Sequence, residues 1–330
     1  MKLKHLLLIT CYLLLVPVSV SAQTSGLKLA VSPLPINLVT DPNSTVTADL
    51  RVKNEGSTTE KIRVGLMKFS AFGESGSPRL LDRESGDNYF DWVKFSEDSF
   101  DVAPGEWKTL TMTLTVPESA SFGYYYAVTF SRDTPSVAKT SQPSTSVIGA
   151  TAVLVLLEVR VPNAIRKVDL LDFSVSKKIF EFLPAQFSFR LKNSGNVHLV
   201  PKGNLFITSG QKTLAVLPVN DTRGNILPDS NRIYDVFWKD GFPLFSDQKD
   251  PSTHPTLQWD FSQVPKLRFG KYTASLVLIY DDGQRDIPLE SKVSFWVVPW
   301  RLIFGGIGVF VVYEIIRKII LRSLIKRKSN

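Results

Sequence analysis

The sequence predicts an all-β protein: two tandem immunoglobulin-like β-sandwiches followed by a single transmembrane helix. Three observations predict it. Short, alternating runs rich in β-branched residues, separated by turn-forming residues, fill positions 27–298. Two landmarks recur in the same order in both halves. An apolar C-terminal run with a basic tail closes the chain.

Residues 1–22 come first. Lys2 and Lys4 precede an apolar run that ends in Val20-Ser21-Ala22, a pattern expected of a secretory signal cleaved before Gln23. The single cysteine, Cys11, lies inside it, so the mature chain is expected to hold its domains by core burial alone. Apolar content of 43% and charge of 21% fit a folded chain, and 330 residues leave room for roughly two domains.

Strands are expected at 45–54, 61–69, 108–117 and 151–162 in the first half. In the second half they are expected at 185–193, 204–210, 232–238 and 272–280. The connectors "NEGS", "APGE", "NSGN" and "YDDGQ" carry turn chemistry. "VKNEG" at 52–56 is echoed by "LKNSG" at 191–195, and "GYYYA" at 123–127 by "GKYTA" at 270–274. A duplicated domain explains both echoes. It sets boundaries of 23–162 for the first sandwich and 163–298 for the second, with the joint near "VPNAIRK".

The echo aligns Tyr125 with Tyr272, each two residues after a glycine at a strand start. That placement suits a tyrosine corner, in which the hydroxyl ties back to nearby backbone. If Tyr125 and Ala127 point inward, alternation puts Tyr124, Tyr126, Val128 and Phe130 on the other face. The second half reads Lys271, Thr273 and Ser275 there, which is solvent chemistry. Two readings of the apolar face stay open. A loop or the second domain covers it, or Tyr124, Tyr126 and Phe130 form a partner or glycan surface.

From Leu302 to Ile316 only Glu314 is charged, about 22 Å of helix against a hydrocarbon core of about 30 Å. Trp296, Trp300 and Arg301 on one side, with Arg317 and Lys318 on the other, are the expected interface anchors. This gives a span at 299–318, a basic cytoplasmic tail at 319–330, and an extracellular ectodomain on the cell membrane. The formal charge is +8; the signal carries +2 and residues 301–330 carry +6, which leaves the ectodomain neutral. The basic balance therefore reports orientation, and no nucleic-acid partner is expected.

Chemistry is sparse. His198 follows "NSGN" and His254 sits in a polar stretch, with no second ligand at metal spacing. "FGESGSP" lacks the last glycine of a nucleophile elbow, and "DDGQRD" is too short for a calcium loop. No enzyme, cofactor or metal is expected. Two long polar loops, 132–150 and 239–256, are candidates for binding.

The order of signal, two sandwiches, apolar helix and basic tail resembles the WxL-interacting proteins of Gram-positive cell surfaces. The first half carries "VSPLPINL", "VKNEG" and "FDVAPGEWKTLTMTLTVPESASFGYYYAV", which also resemble the pilus-chaperone type of sandwich. The second carries "LKNSGNVHLVPKGNLFI", "NILPDSNRIYDVFW" and "GKYTASLVLIY". The resemblance implies peptidoglycan binding by the first domain. It implies a surface partner, such as a WxL-domain protein or a host protein, for the second. The expected function is a membrane-anchored tether between the wall and another surface protein. The alternatives are an envelope chaperone or assembly factor for exported subunits, and an accessory ectodomain of a membrane complex.

Overall fold

The computed structural model describes residues 26–133, 150–246 and 255–328. The expected signal, His254 and most of the 132–150 loop lie outside these residues.

The first ten strands form two facing sheets. One runs β1 (Leu29–Ser32), β3 (Ser44–Asn54), β8 (Trp107–Val116), β6 (Val93–Phe95). The other runs β2 (Ile36–Thr40), β10 (Ala150–Val159), β9 (Phe122–Arg132), β4 (Glu60–Phe72), β5 (Ser77–Leu81), with β7 (Ser99–Val102) also on β4. Strict alternation makes β8 amphipathic. Leu110, Met112, Leu114 and Val116 are buried, and the threonines between them lie outside the core. Facing them are Tyr126, Val128, Phe130, Val153, Val155 and Leu157 of β9 and β10.

The second ten strands repeat the plan. β11 (Val168–Val175), β13 (Ala185–Asn193) and β16 (Asn231–Trp238) make one sheet. The other runs β12 (Ile179–Phe180), β20 (Asp286–Val297), β19 (Gly270–Asp281), β14 (Lys202–Ser209), β15 (Lys212–Val219). β17 (Leu244–Phe245) and β18 (Leu257–Gln258) form a small separate pair. The two five-strand orders are equivalent, strand for strand. In both units the first strand pairs antiparallel with one sheet, and the next runs parallel to the last strand of the other. Trp238, Tyr272, Phe187 and Phe295 fill the second core edge to face.

The echoed asparagines explain why the repeat is visible in sequence. Asn54 donates to the carbonyls of Thr58 (2.7 Å) and Val102 (3.0 Å) and accepts from the Gly56 N–H (2.8 Å). Asn193 donates to Val197 (2.8 Å) and Ile226 (2.9 Å) and accepts from the Gly195 N–H (2.9 Å). Both are fully buried. Their main chains also exchange bonds with the turns at Gly105 and Glu106, and at Asp229 and Ser230.

The tyrosine assignment needs correction by one residue. Tyr272 is a corner: its hydroxyl accepts from the Phe269 N–H at 3.0 Å. In the first unit the equivalent bond runs from the Ser121 N–H to the hydroxyl of Tyr124, at 3.2 Å, so Tyr125 is not the corner. The residue two before each corner has positive φ, 114° at Gly270 and 66° at Phe122. The glycine in the first unit has moved to position 123, because a Cβ there would overlap the Tyr125 hydroxyl.

The inward face moves with it. Tyr124, Tyr126 and Phe130 point into the core, Tyr126 and Phe130 with no exposure, and they do not form the expected binding surface. A short 3-10 turn, Asn88–Trp92, covers the core there. Tyr89 and Trp92 pack on Tyr124, and Tyr126 donates to the Tyr89 carbonyl at 3.1 Å.

After β20 the chain enters one helix, α1 (Trp300–Lys328). Among the described residues no helix is long and apolar enough to cross a membrane. Arg301 and Glu314 bound a short uncharged run, and Arg317 and Lys318 break up the apolar residues beyond it. The expected span at 299–318 is therefore overturned, and with it the single-pass placement and the cytoplasmic tail. The five expected anchors lose that role too. Trp296 lies opposite Lys271 on the outer face of β20, and Trp300 lines a pocket with Phe180 and Phe182. Arg301 pairs with buried Glu181 at 3.4 Å, Arg317 pairs with Glu314 at 2.8 Å, and Lys318 is exposed.

Candidate functional site

The two units meet along the outer face of the five-strand sheet of the first. β9 turns Tyr125 and Ala127 to that face, β10 adds Leu154 and Leu156, β4 adds Met67 and Phe69, and Leu227 of the second unit packs against them. The second domain thus covers an apolar face of β9, but through the opposite set of residues from those expected. Three consecutive tyrosines fit because both sides of this strand are dry.

The seam has a polar frame. The ring of His198 meets Tyr125 edge-on at 5.8 Å. His198 is buried, and its pKa is lowered to about 4, first by burial and then by Arg166. Burial, then the charge of Glu158, raises the Tyr125 hydroxyl well above its ordinary range. Arg166, within the joint, pairs with Glu158 of β10. At the other end the β4–β5 turn reaches β16. The Glu74 carboxylate accepts from Arg190 and from Asn231 at 3.0 Å, and its carbonyl accepts from the Ile233 N–H at 2.8 Å. Arg190, then Asn231, holds the Glu74 carboxyl below the usual carboxylate range.

Beside this frame the seam opens into a cleft of about 540 Å³. Its apolar wall is Leu34, Pro35, Phe69, Leu80, Ala152 and Leu154, and its polar wall is the 222–232 segment of the second unit. One margin is a strand edge. β2 pairs with Val155–Val159 of β10, while Ala150–Leu154 pairs with β9 alone. Among the described residues no strand lies along the other side of Ala150–Leu154. The cause is local: Pro33 and Pro35 precede β2, and proline has no N–H to continue a ladder.

No cluster of metal-ligating side chains occurs among the described residues. Besides its apolar side chains, the described lining of the cleft carries hydroxyl, amide and guanidinium groups. Sequence reasoning missed the cleft, since its walls come from segments far apart in the chain.

No protein-family model matches the sequence, and no curated protein matches it. Solved structures of similar architecture include the class 5 fimbriae chaperone CfaA, at 15% identity and TM-score 0.37, covering 80% of this chain and 98% of that one. The CsuC–CsuE chaperone–tip subunit complex of Acinetobacter baumannii matches at 14% identity and TM-score 0.36, covering 80% and 97%. The SafB chaperone complex with SafA pilin of Salmonella enterica matches at 10% and 0.34, covering 82% and 98%. At these identities and TM-scores the likeness does not extend to function.

The expected membrane-anchored, peptidoglycan-binding tether is overturned. No described helix is long and apolar enough to cross a membrane, and the tyrosines expected to meet the wall are in the core. The accessory-ectodomain alternative required the same span and falls with it.

Proposed function

We propose that this protein is a non-enzymatic assembly factor, a chaperone for exported subunits, that holds an extended segment of a partner protein by strand addition. The observation that carries the reading is the unpaired edge of β10 at Ala150–Leu154, set beside an apolar cleft. An exposed ladder of N–H and C=O groups binds extended peptide main chain, and adjacent pockets select its alternate side chains. A guest on this edge would lie end to end with β2. Side chains next to Ala152 and Leu154 would enter the cleft. The WxL-interacting resemblance belongs to the same proposal, as a source for the class of partner, an exported surface protein.

The test is site-specific photocrosslinking in the native host. A crosslinker at Ala152 should trap one extended segment of an exported protein, and one at Val216, exposed on edge strand β15, should not. Equal capture at both positions would sink the reading.

A further inference from the structure

The cleft has a charge pattern that names its guest more closely. Among the described residues, Arg223 and Arg232 are the charged residues that line it, and no carboxylate does. Arg232 is held in place from several sides. Its guanidinium lies between Gly76 of the first unit and Gly224 of the second, and a Cβ at either glycine would overlap it. It stacks over the Tyr234 ring at 5.1 Å and donates through Nη1 to the Asn225 carbonyl at 2.7 Å. Its buried Nε has no hydrogen-bond acceptor, and no carboxylate pairs with it among the described residues. The nearby acid, Glu74, is already committed to Arg190 and Asn231. A guanidinium fixed in a partly buried wall without a counter-ion is costly unless a ligand supplies one.

We infer that the cleft takes an extended, alternately apolar segment that carries an acidic side chain, whose carboxylate pairs with Arg232. This rests on the strand-addition reading and adds the chemistry of the guest. Arginine suits the task because its planar fork meets a carboxylate with two parallel bonds. The apolar wall takes the neighbouring side chains of the same strand.

Calorimetric titration of the full chain with three peptides tests this. All are N-acetylated nonapeptides of alternating valine and threonine. The first has a central glutamate and an amidated C-terminus, and the second replaces the glutamate with glutamine. The third is the glutamine peptide with a free C-terminal carboxylate. The glutamate peptide should bind about tenfold more tightly than its glutamine counterpart, a gap that shrinks in high salt. Arg232→Met should abolish the gap, and Arg232→Lys should keep part of it. Melting curves of each variant separate lost binding from lost folding, and the lysine variant decides the matter if the methionine one fails to fold. Equal binding of the first two peptides would overturn the inference while leaving strand addition in place. A gain confined to the free carboxylate would overturn it in favour of a chain terminus. If no peptide binds, strand addition falls, and this inference with it.

Discussion

Asn54 and Asn193 do one job in two places: each closes a turn from inside its own core, donating to two carbonyls and accepting one glycine N–H. Removing either side chain leaves three backbone groups without their partner, all buried around Asn193 and one, the Val102 carbonyl, buried around Asn54. Asn54→Ala and Asn193→Ala should each cost about 3 kcal/mol in urea denaturation. The two share no partner, so the double variant should lose nearly the sum. A loss under about 1 kcal/mol for either would mean that water replaces the amide.

Tyr126 is a core residue with one polar bond. Tyr126→Phe should cost about 1 kcal/mol, the bond to the Tyr89 carbonyl. Tyr126→Ser should cost about 4 kcal/mol, because it opens a cavity under the Asn88–Trp92 turn. Denaturation midpoints of the two variants decide between a core tyrosine and a surface one, for which both losses would be near zero.

Acid should weaken the seam through His198. Its folded pKa, about 4, lies below the ordinary 6.5, so the unfolded chain binds the proton first. The stabilisation is whole above pH 6.5 and is lost as the pH falls toward 4. The full effect is about 3 kcal/mol. Tyr125 meets the ring, Arg166 opposes a positive charge on it, and Glu158 is already paired with Arg166, so nothing nearby welcomes the imidazolium. Stability measured at pH 7.5 and 5 should differ for wild type. His198→Phe should flatten that part of the profile.

The Glu74 contact should set the angle between the units. Glu74→Ala frees Arg190 and Asn231 together, and Gly76→Ala pushes on the Arg232 guanidinium from the same turn. Gly76 also has a φ of 80°, which alanine tolerates poorly. Small-angle scattering should show a broader, more open distribution of shapes for both variants, and each sandwich should keep its own melting behaviour. Unchanged scattering would assign the angle to the Tyr125–His198 end instead.

Much of the strand pattern was legible. The eight strands expected from alternation are present within about three residues at either end, because a half-buried strand writes its period into the sequence. The short or marginal strands β5, β6 and β7 carry too few residues to show a period. The corner was misplaced because glycine served as the landmark, whereas the backbone feature shared by both units is the positive φ at Phe122 and Gly270. The seam was not legible at all. Nothing local distinguishes Glu74 or His198 from solvated loop residues, and their roles exist only once Arg190 and Tyr125 are brought beside them. The helix was legible as a helix, but its apolar run was credited with a span that its charged residues interrupt.

A strand with two dry faces also changes what the gene can tolerate. Along an ordinary sandwich strand, permissive and forbidden codons alternate. Along residues 124–128 the first face answers to the sandwich core and the second to the neighbouring domain. Saturation mutagenesis should therefore return an unbroken block of intolerance at these positions, against the every-other-residue rhythm of β3. The block would persist only while both domains are encoded together. Expressed without its neighbour, the first sandwich should regain its rhythm at the expense of a sticky outer face.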